Sequence, residues 1–438
     1  MLGKTGQRSL TLRKNVITSA FYKGINVVFT FMLVRFTIEF AGQEKYGIWL
    51  SILSFLTWFS AIEVGISNGI RNRITTYFSD EKFKLIQAIV AKGFRSLITI
   101  YSLLIVSLTI SIIFFPIEEL FTPSNENYDN IKWALITCIS FYFLHYIFYF
   151  LNAILLSTHN TAVTYQITVI QNGLTLLGIV IMKYFIADPS LLLICFWFSF
   201  VPFAVWSVSN IAAFSRKLKN IKPSWLKTIN PESLPNTKAN RSFFIIQLCI
   251  LIIFSTDNLI IVNFLSGEEV TKFNVSFRFF SIITVIFNLI LLPYWASFAE
   301  AVHKNDKRWI QTNIRKLIYI WLALSICLIV MILLSNTLYE LWIGEPIDIP
   351  IELSIFIAIS TLLTAWYNIF AYFLNSIDRI KVQRNWLIFS ATINIPLSIL
   401  FINIFGVKGV IIATCITLIP LCISLPIEYR KVLSNLNR

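Results

Sequence analysis

Charged residues are scarce in this chain of 438 residues. Asp, Glu, Lys and Arg make up only 13% of it, while 57% of the residues are hydrophobic. A soluble domain has about a quarter of its residues charged, so this composition cannot cover the surface of a water-soluble globule. The sequence predicts an integral membrane protein.

Sequence motifs of catalysis and metal binding are missing as well. There is no GxxxxGK[ST] phosphate loop, no HExxH and no DxD-like acidic pair in a loop. The six cysteines all lie in apolar stretches, without CxxC spacing and without a cluster with the three histidines, which argues against disulfides and zinc. We expect no enzyme, no catalytic residue, no cofactor and no metal.

Long apolar runs are what the sequence has instead. Runs near 20 residues are long enough to cross a hydrocarbon core of about 30 Å as helices, and the fold class predicted is therefore all-α with about twelve transmembrane helices. They lie at 16–40, 47–66, 96–116, 133–156, 164–184, 190–214, 243–265, 273–295, 317–335, 353–376, 386–405 and 409–427.

The basic residues are distributed unequally between the loops. With the N-terminus in the cytoplasm, most Lys and Arg fall in cytoplasmic segments, as the positive-inside rule requires. Three fall within spans, at Lys23, Arg35 and Arg278. The outer loops hold five, at Lys45, Lys132, Lys183, Lys272 and Lys408. We expect both termini to be cytoplasmic, and the net charge of +14 to reflect topology and not a nucleic-acid partner.

The chain divides into two halves with a basic segment between them. We predict an N-terminal lobe at 1–214, a cytoplasmic linker at 215–242 and a C-terminal lobe at 243–438. Three features recur at similar separations: Gly42 with Gly267, YFLN at 149 and 372, and Asn172 with Asn394. Duplicated six-helix lobes related by a pseudo-two-fold axis along the membrane normal are typical of transporters, with substrate between the lobes.

Two stretches outside the runs mix apolar and basic residues. They cover 80–96 and 304–316, and both are predicted as short helices on the cytoplasmic face. Contact with anionic lipids of that leaflet and a merely solvated loop are both compatible with the pattern.

The first run carries a polar stripe. At 100° per residue Lys23, Asn26 and Thr30 fall on one face of a helix, together with Thr37. Snorkelling of Lys23 to the inner surface is strained at its depth, so a cation facing a water-filled cavity is favoured. For Arg35, a pair with Glu39 one turn later is an equal alternative to substrate contact.

Four more ionisable residues within the runs need an interpretation. Asp257 and Arg278 have similar depths, and a structural pair is favoured over substrate contact. Glu63 is interpreted either as a gating or proton-carrying group or as a partner of nearby backbone or Arg71. His145, flanked by aromatic residues in YFLHYIFYF, is interpreted as a buried histidine with satisfied hydrogen bonds.

Several segments resemble a known family. They are GQEKYGIWLSI, IEVGISNGIRNRI, STDNLIIVNFLSGEEVTKFNVSFRF with Pro293 after it, and NIPLSILFINIFGVKGVIIAT. Their order is similar to that of the polysaccharide flippases, especially the O-antigen type (Wzx), of the multidrug/oligosaccharidyl-lipid/polysaccharide (MOP) exporter superfamily. Where that pattern has an aspartate before the glycine, this chain has Glu63 and Val64, which puts an acid-specific role there in doubt.

The resemblance implies a cargo and a place in the cell. The cargo would be undecaprenyl-pyrophosphate-linked oligosaccharide, moved to the outer leaflet of the bacterial inner membrane by alternating access, with membrane lipids, a polysaccharide polymerase and chain-length proteins as partners. The expected substrate-binding residues are Lys23, Asn26, Thr30, Arg35 and Arg278. Glu63 and Asp257 are the candidates for ion coupling or gating.

Other functions stay open at this point. A flippase for the peptidoglycan precursor and a cation-coupled small-molecule antiporter would share the fold, although an antiporter for cations favours an acidic cavity. A membrane polysaccharide polymerase needs a large outer loop with arginines, and the outer loops here are short and contain none.

Overall fold

The computed structural model describes residues 4–121, 130–158, 160–223, 238–344 and 346–436. Within these ranges the chain forms α-helices and two short 3-10 helices (Ile117–Phe121 and Lys219–Ile221), without a strand. The α-helices are α1 Lys4–Ala41, α2 Gln43–Ser79, α3 Phe83–Phe114, α4 Ile131–Tyr149, α5 Leu151–Ser157, α6 Thr161–Phe185, α7 Leu191–Ser215, α8 Lys238–Phe264, α9 Gly267–Leu291, α10 Tyr294–His303, α11 Lys307–Leu333, α12 Ser335–Ile343, α13 Ile351–Ser376, α14 Lys381–Phe405 and α15 Val407–Asn435.

Twelve segments in the described ranges are long and apolar enough to cross a membrane, and this confirms the predicted all-α membrane fold. Helices α4 and α5 together form one of them, Ile131–Ser157, whereas α10 and α12 are too short to span. Large apolar side chains also face outward, as at Leu103 (66% exposed), Phe114 (76%) and Leu333 (78%). Such exposure would cause aggregation in water, but in lipid it costs nothing.

The prediction of two separate surface helices is wrong. Residues 83–96 are the first part of α3, and 307–316 are the first part of α11. Neither stretch contains proline, so nothing ends the helix before the apolar run begins. The glycine within the first stretch, Gly93, is needed for packing, because a Cβ there would lie 2.5 Å from the ring of Phe150.

The chain forms two compact units, Met1–Asn236 and Thr237–Arg438. In the N-terminal unit α1 packs along α6, α4 along α7, and α3 against α2 and α4. In the C-terminal unit α15 packs against α13 and α14, α8 against α14, and α9 against α13. Of the predicted linker 215–242, residues 224–237 lie outside the described ranges, and α8 already begins at Lys238.

Small residues and tryptophans join neighbouring helices in both units. A Cβ on Gly178 of α6 would lie 1.9 Å from the Trp197 ring of α7, and Trp197 Nε1 donates to the Thr175 carbonyl at 3.0 Å. In α15, Pro426 has no N–H for the Cys422 carbonyl. Trp366 Nε1 of α13 donates to that carbonyl at 3.1 Å, so the tryptophan replaces the lost helical bond.

Candidate functional site

The polar stripe of α1 faces α6. Asn172 Nδ2 donates to Asn26 Oδ1 at 2.7 Å, and the Thr30 hydroxyl donates to the Asn26 carbonyl at 2.8 Å. Thr37 is fully buried, and its hydroxyl has no hydrogen-bond partner. Two of the predicted substrate residues, Asn26 and Thr30, therefore lie together. The amide oxygen of Asn26 already accepts a hydrogen bond from Asn172 of α6.

Lys23 lies one turn before Asn26 on the same helix and is half-buried. Within the described ranges it forms no ion pair. The acidic residues that pair in the N-terminal unit have other partners: Glu39 with Lys183, Asp188 with Lys45, Glu118 with Lys132, and Asp80 with Lys82. Lys23 thus keeps an ammonium group available at the edge of a polar helix contact.

The alternative in which Arg35 pairs with Glu39 is wrong. Glu39 pairs with Lys183 of α6 at 2.5 Å, and Arg35 is exposed without an ion pair in the described part of the chain. The reason is the parallel packing of α1 on α6, which brings Ser19 to Thr161 at one end, Asn26 to Asn172 in the middle, and Glu39 to Lys183 at the other end.

Glu63 lies inside the N-terminal unit and is 3% exposed. It accepts a short hydrogen bond from the Ser67 hydroxyl one turn later on α2. The interpretation that its side chain bonds to backbone or to Arg71 is wrong, because the partner that the described residues provide is Ser67. Three tyrosines, Tyr101, Tyr146 and Tyr149, are close enough to interact electrostatically with the carboxyl group.

The tyrosine hydroxyls near Glu63 bond elsewhere. Tyr101 donates to the Phe59 carbonyl at 2.9 Å and Tyr146 to the Leu56 carbonyl at 3.3 Å, both on α2. Glu63 is thus buried near these tyrosines, with Ser67 as its hydrogen-bond partner. Two of the tyrosines belong to the aromatic run of α4, which the sequence alone did not connect with Glu63.

His145 is buried in the same layer. Its ring centroid lies 5.7 Å from that of Tyr146, 5.5 Å from that of Tyr149 and 6.4 Å from that of Trp206. The prediction of satisfied hydrogen bonds is wrong for one ring nitrogen, because Nδ1 is buried without a partner.

Tyr149, which lies near Glu63, is joined to α6 through aromatic and amide contacts. Tyr149 packs on Trp206 at 4.7 Å between ring centroids, and Trp206 Nε1 donates to Gln171 Oε1 at 2.9 Å. Gln171 is adjacent to Asn172, the partner of Asn26. We call this set the polar band of the N-terminal unit, comprising Asn26, Asn172, Gln171, Trp206, Tyr149, His145 and Glu63.

The predicted pair of Asp257 and Arg278 is wrong. Both residues are in the described ranges, and no ion pair joins them there. The side chains that link α8 to α9 are those of Asn258 and Asn274, at 2.8 Å. Since neighbouring residues of a helix point 100° apart, Asp257 faces away from this contact when Asn258 faces into it. Asp257 instead lies near Cys415 of α15.

Asp257 is 1% exposed, and no described residue forms a hydrogen bond with its Oδ1. Unsatisfied oxygens recur on α14, which packs against both α8 and α15. Asn394 Nδ2 contacts the Thr414 and Thr417 hydroxyls at 3.1 and 3.4 Å, but Asn394 Oδ1 has no partner, and neither does Ser398 Oγ.

The described residues contain no disulfide and no group of side chains that could bind a metal ion. All six cysteines are free thiols. No group of three or more His, Cys, Asp and Glu residues in these ranges is arranged to hold a metal ion.

Comparisons with known proteins agree with this architecture. Residues 243–400 match the MatE family. A protein of Salmonella typhi named "Putative O-antigen transporter" is 23% identical over 372 residues, which cover 81% of this chain and 80% of that protein. The chain has the fold of membrane transporters.

Solved structures define that fold more closely. A multidrug resistance MATE family transporter of the MOP superfamily, in an inward-facing conformation, has a TM-score of 0.72 at 13% identity, covering 96% of this chain and 99% of that one. A Vibrio cholerae MATE transporter has a TM-score of 0.61 at 14% identity, covering 98% and 99%. The chain therefore has the fold of these MATE transporters, and the MatE match lies within its C-terminal unit.

Proposed function

We propose that this transporter moves an undecaprenyl-pyrophosphate-linked oligosaccharide, such as an O-antigen repeat unit, from the cytoplasmic to the periplasmic leaflet of the bacterial inner membrane. The observation that carries the proposal is Lys23, a half-buried cation in a membrane helix without an ion pair in the described ranges. The name of the Salmonella typhi relative supports the same class of cargo.

The chemistry of the cargo explains why such a cation is useful. A pyrophosphate loses its hydration when it enters a bilayer, and the free energy of this desolvation is prohibitive for an ion without a partner. An ammonium group offers charge-assisted hydrogen bonds to phosphate oxygens. Lys23 would contact the pyrophosphate, with Thr30 and Asn26 bonding to phosphate or sugar, while the lipid tail stays in the membrane. Arg35 and Arg278, which also have no ion pair in the described ranges, would be further contacts.

Ion coupling is assigned in the proposal to the buried acids. Asp257 is the first candidate because its Oδ1 has no partner, and Glu63 is the second because Ser67 already bonds to it. Transport would proceed by alternating access, with both termini cytoplasmic, and the exported unit would pass to a polymerase and its chain-length proteins.

Reconstitution tests the cargo directly. Purified protein in liposomes would receive a defined lipid-linked oligosaccharide, and its appearance in the opposite leaflet would be measured with a membrane-impermeant sugar-modifying enzyme. Liposomes with Lys23→Ala protein are the matched control. The proposal fails if wild-type and control liposomes translocate the lipid at the same rate.

A drug antiporter is the second candidate function. Two buried acids without a cationic partner, Glu63 and Asp257, favour it, and the structural neighbours are multidrug transporters. A fluorescent cationic drug would be taken up in the same liposomes against an ion gradient if this function were correct. Faster translocation of the peptidoglycan precursor than of the lipid-linked oligosaccharide would instead identify a peptidoglycan-precursor flippase.

A further inference from the structure

A cavity of about 550 Å³ opens at one end of the C-terminal unit. It lies where the turn between α8 and α9, the start of α13, and the turn between α14 and α15 meet. Its polar lining comes from Ser266, Glu269 and Lys408, and its apolar lining includes Leu265, Leu353 and Phe405. None of these residues belongs to the substrate or coupling sites described above.

Both signs of charge line this cavity. Lys408 is half-buried and forms no ion pair in the described ranges. The Glu269 side chain is 27% exposed and pairs with Lys272 at 2.8 Å through Oε1. A purely anionic ligand would meet the carboxylate and a purely cationic ligand would meet the lysine, so the lining favours a ligand that carries both charges.

Two helices begin at the cavity without a side-chain cap. The N-cap residues of α13 and α15 are Pro350 and Gly406, which also line the cavity, and neither accepts a hydrogen bond from its helix through a side chain. The α9 helix at the same cavity is capped by Ser266. Uncapped N-terminal N–H groups and the helix dipole favour a phosphate, and Lys408 adds a full positive charge next to α15.

The position of the cavity identifies the kind of molecule that reaches it. Helices α8, α9, α13, α14 and α15 are all membrane spans, and the cavity lies at their ends, where lipid head groups meet water. We propose that it binds a phospholipid with a phosphoethanolamine head group. The phosphate would contact Lys408 and the start of α15, the ammonium would contact Glu269, and an acyl chain would lie on Leu265, Leu353 and Phe405.

Native mass spectrometry of the full-length protein tests this inference. The detergent-purified protein would be equilibrated with equal amounts of phosphatidylethanolamine, phosphatidylglycerol and phosphatidylcholine. We expect preferential retention of phosphatidylethanolamine, and about ten-fold weaker retention in Lys408→Gln and in Glu269→Gln. Lys408→Arg keeps the positive charge and should retain the lipid, which separates a lost contact from a folding defect.

Matched controls lie nearby and on the other unit. Glu268→Gln removes the adjacent carboxylate that also pairs with Lys272 but does not line the cavity, and Lys132→Gln removes a lysine at a span end of the N-terminal unit. Neither change should alter lipid retention. Equal retention of the three lipids, or retention unchanged in both Lys408→Gln and Glu269→Gln, would overturn the inference. So would soluble phosphoethanolamine that binds as firmly as the lipid, because the apolar wall would then contribute nothing.

Discussion

The two units differ most in how each holds its buried acid. In the N-terminal unit Glu63 has a hydrogen bond from Ser67 and is buried near three tyrosines. In the C-terminal unit Asp257 has an oxygen without a partner, and Asn394 and Ser398 on α14 also keep unsatisfied oxygens. Buried oxygens without donors are costly. Of the two buried acids, Asp257 is therefore the one with an oxygen that no donor in the described ranges satisfies.

The units also differ in their unpaired cations. Lys23 is next to an amide contact between two helices, Asn26 with Asn172. Arg278 is on α9, where Asn274 rather than a carboxylate makes the contact to α8. The N-terminal unit thus combines a cation with the polar band, a combination that the proposed anionic, sugar-bearing ligand would use.

Removing the cation of the N-terminal unit should have the largest effect. We expect Lys23→Ala to reduce lipid-linked oligosaccharide translocation about 10- to 100-fold, the loss of one hydrogen bond to a charged group of about 1.5 to 3 kcal/mol. Lys23→Arg should keep part of the activity. Surface glycan display, measured at equal membrane abundance, checks this. Lys183→Ala, which removes a paired lysine at the other end of the contact between α1 and α6, is the control and should be much milder.

The second prediction compares the two acids. Asp257→Asn should abolish the dependence of transport on an ion gradient, whereas Glu63→Gln should only slow transport, because a neutral amide can keep the bond to Ser67. Initial rates in liposomes with and without proton or sodium gradients measure both effects. The opposite order, with gradient dependence lost only in Glu63→Gln, would move coupling to the N-terminal unit.

Glycines that allow close helix contacts should respond differently in the two units. A Cβ on Gly409 would lie 2.2 Å from the Phe401 carbonyl oxygen, whereas a Cβ on Gly178 would meet the Trp197 ring. A backbone atom moves less easily than a side chain does. Gly409→Ala should therefore destabilise the protein more than Gly178→Ala, both within the range of about 1–3 kcal/mol for overpacking. Thermal unfolding in detergent measures this. Gly24→Ala, with nothing within 4 Å of its Cβ, should not destabilise.

A double-mutant cycle on Asp257 and Arg278 tests the absence of their pairing. Since no ion pair joins them, the losses in unfolding free energy from Asp257→Ala and Arg278→Ala should add to within about 0.5 kcal/mol in the double variant. A double variant that is clearly milder than either single change would instead show that the two residues contact each other.

The smallest effect is expected for an exposed pair. Lys304 lies 2.5 Å from Glu300 and lowers the pKa of that carboxyl, while Glu300 raises the pKa of Lys304. The carboxyl contribution is present above its unfolded pKa and is lost as the pH falls through its folded pKa. The lysine contribution is present below its unfolded pKa and is lost as the pH rises through its folded pKa. Because solvent screens both groups, Lys304→Gln should leave the unfolding temperature unchanged between acidic and neutral pH.

The sequence predicted some of the candidate site. Helical periodicity placed Asn26 and Thr30 together, and they are in contact. Periodicity did not predict the partner of Glu39, because Lys183 belongs to another helix. It did not predict the surroundings of Asp257 either, because the rotation of α8 turns Asn258, not Asp257, toward α9. The proximity of Glu63 to Tyr101 and Tyr149 was not predicted, because the aromatic run of α4 does not show which distant side chain it packs near.

By itself the sequence determined the candidate membrane spans, twelve of them in the part of the chain that the structure describes, because span length and hydropathy are properties of each segment taken alone. It also determined which helices carry charge. Only the tertiary structure decided which charges are paired, which acids are enclosed and where a cavity opens. Those outcomes depend on the rotation and depth of each helix against its neighbours, and packing between distant segments sets both.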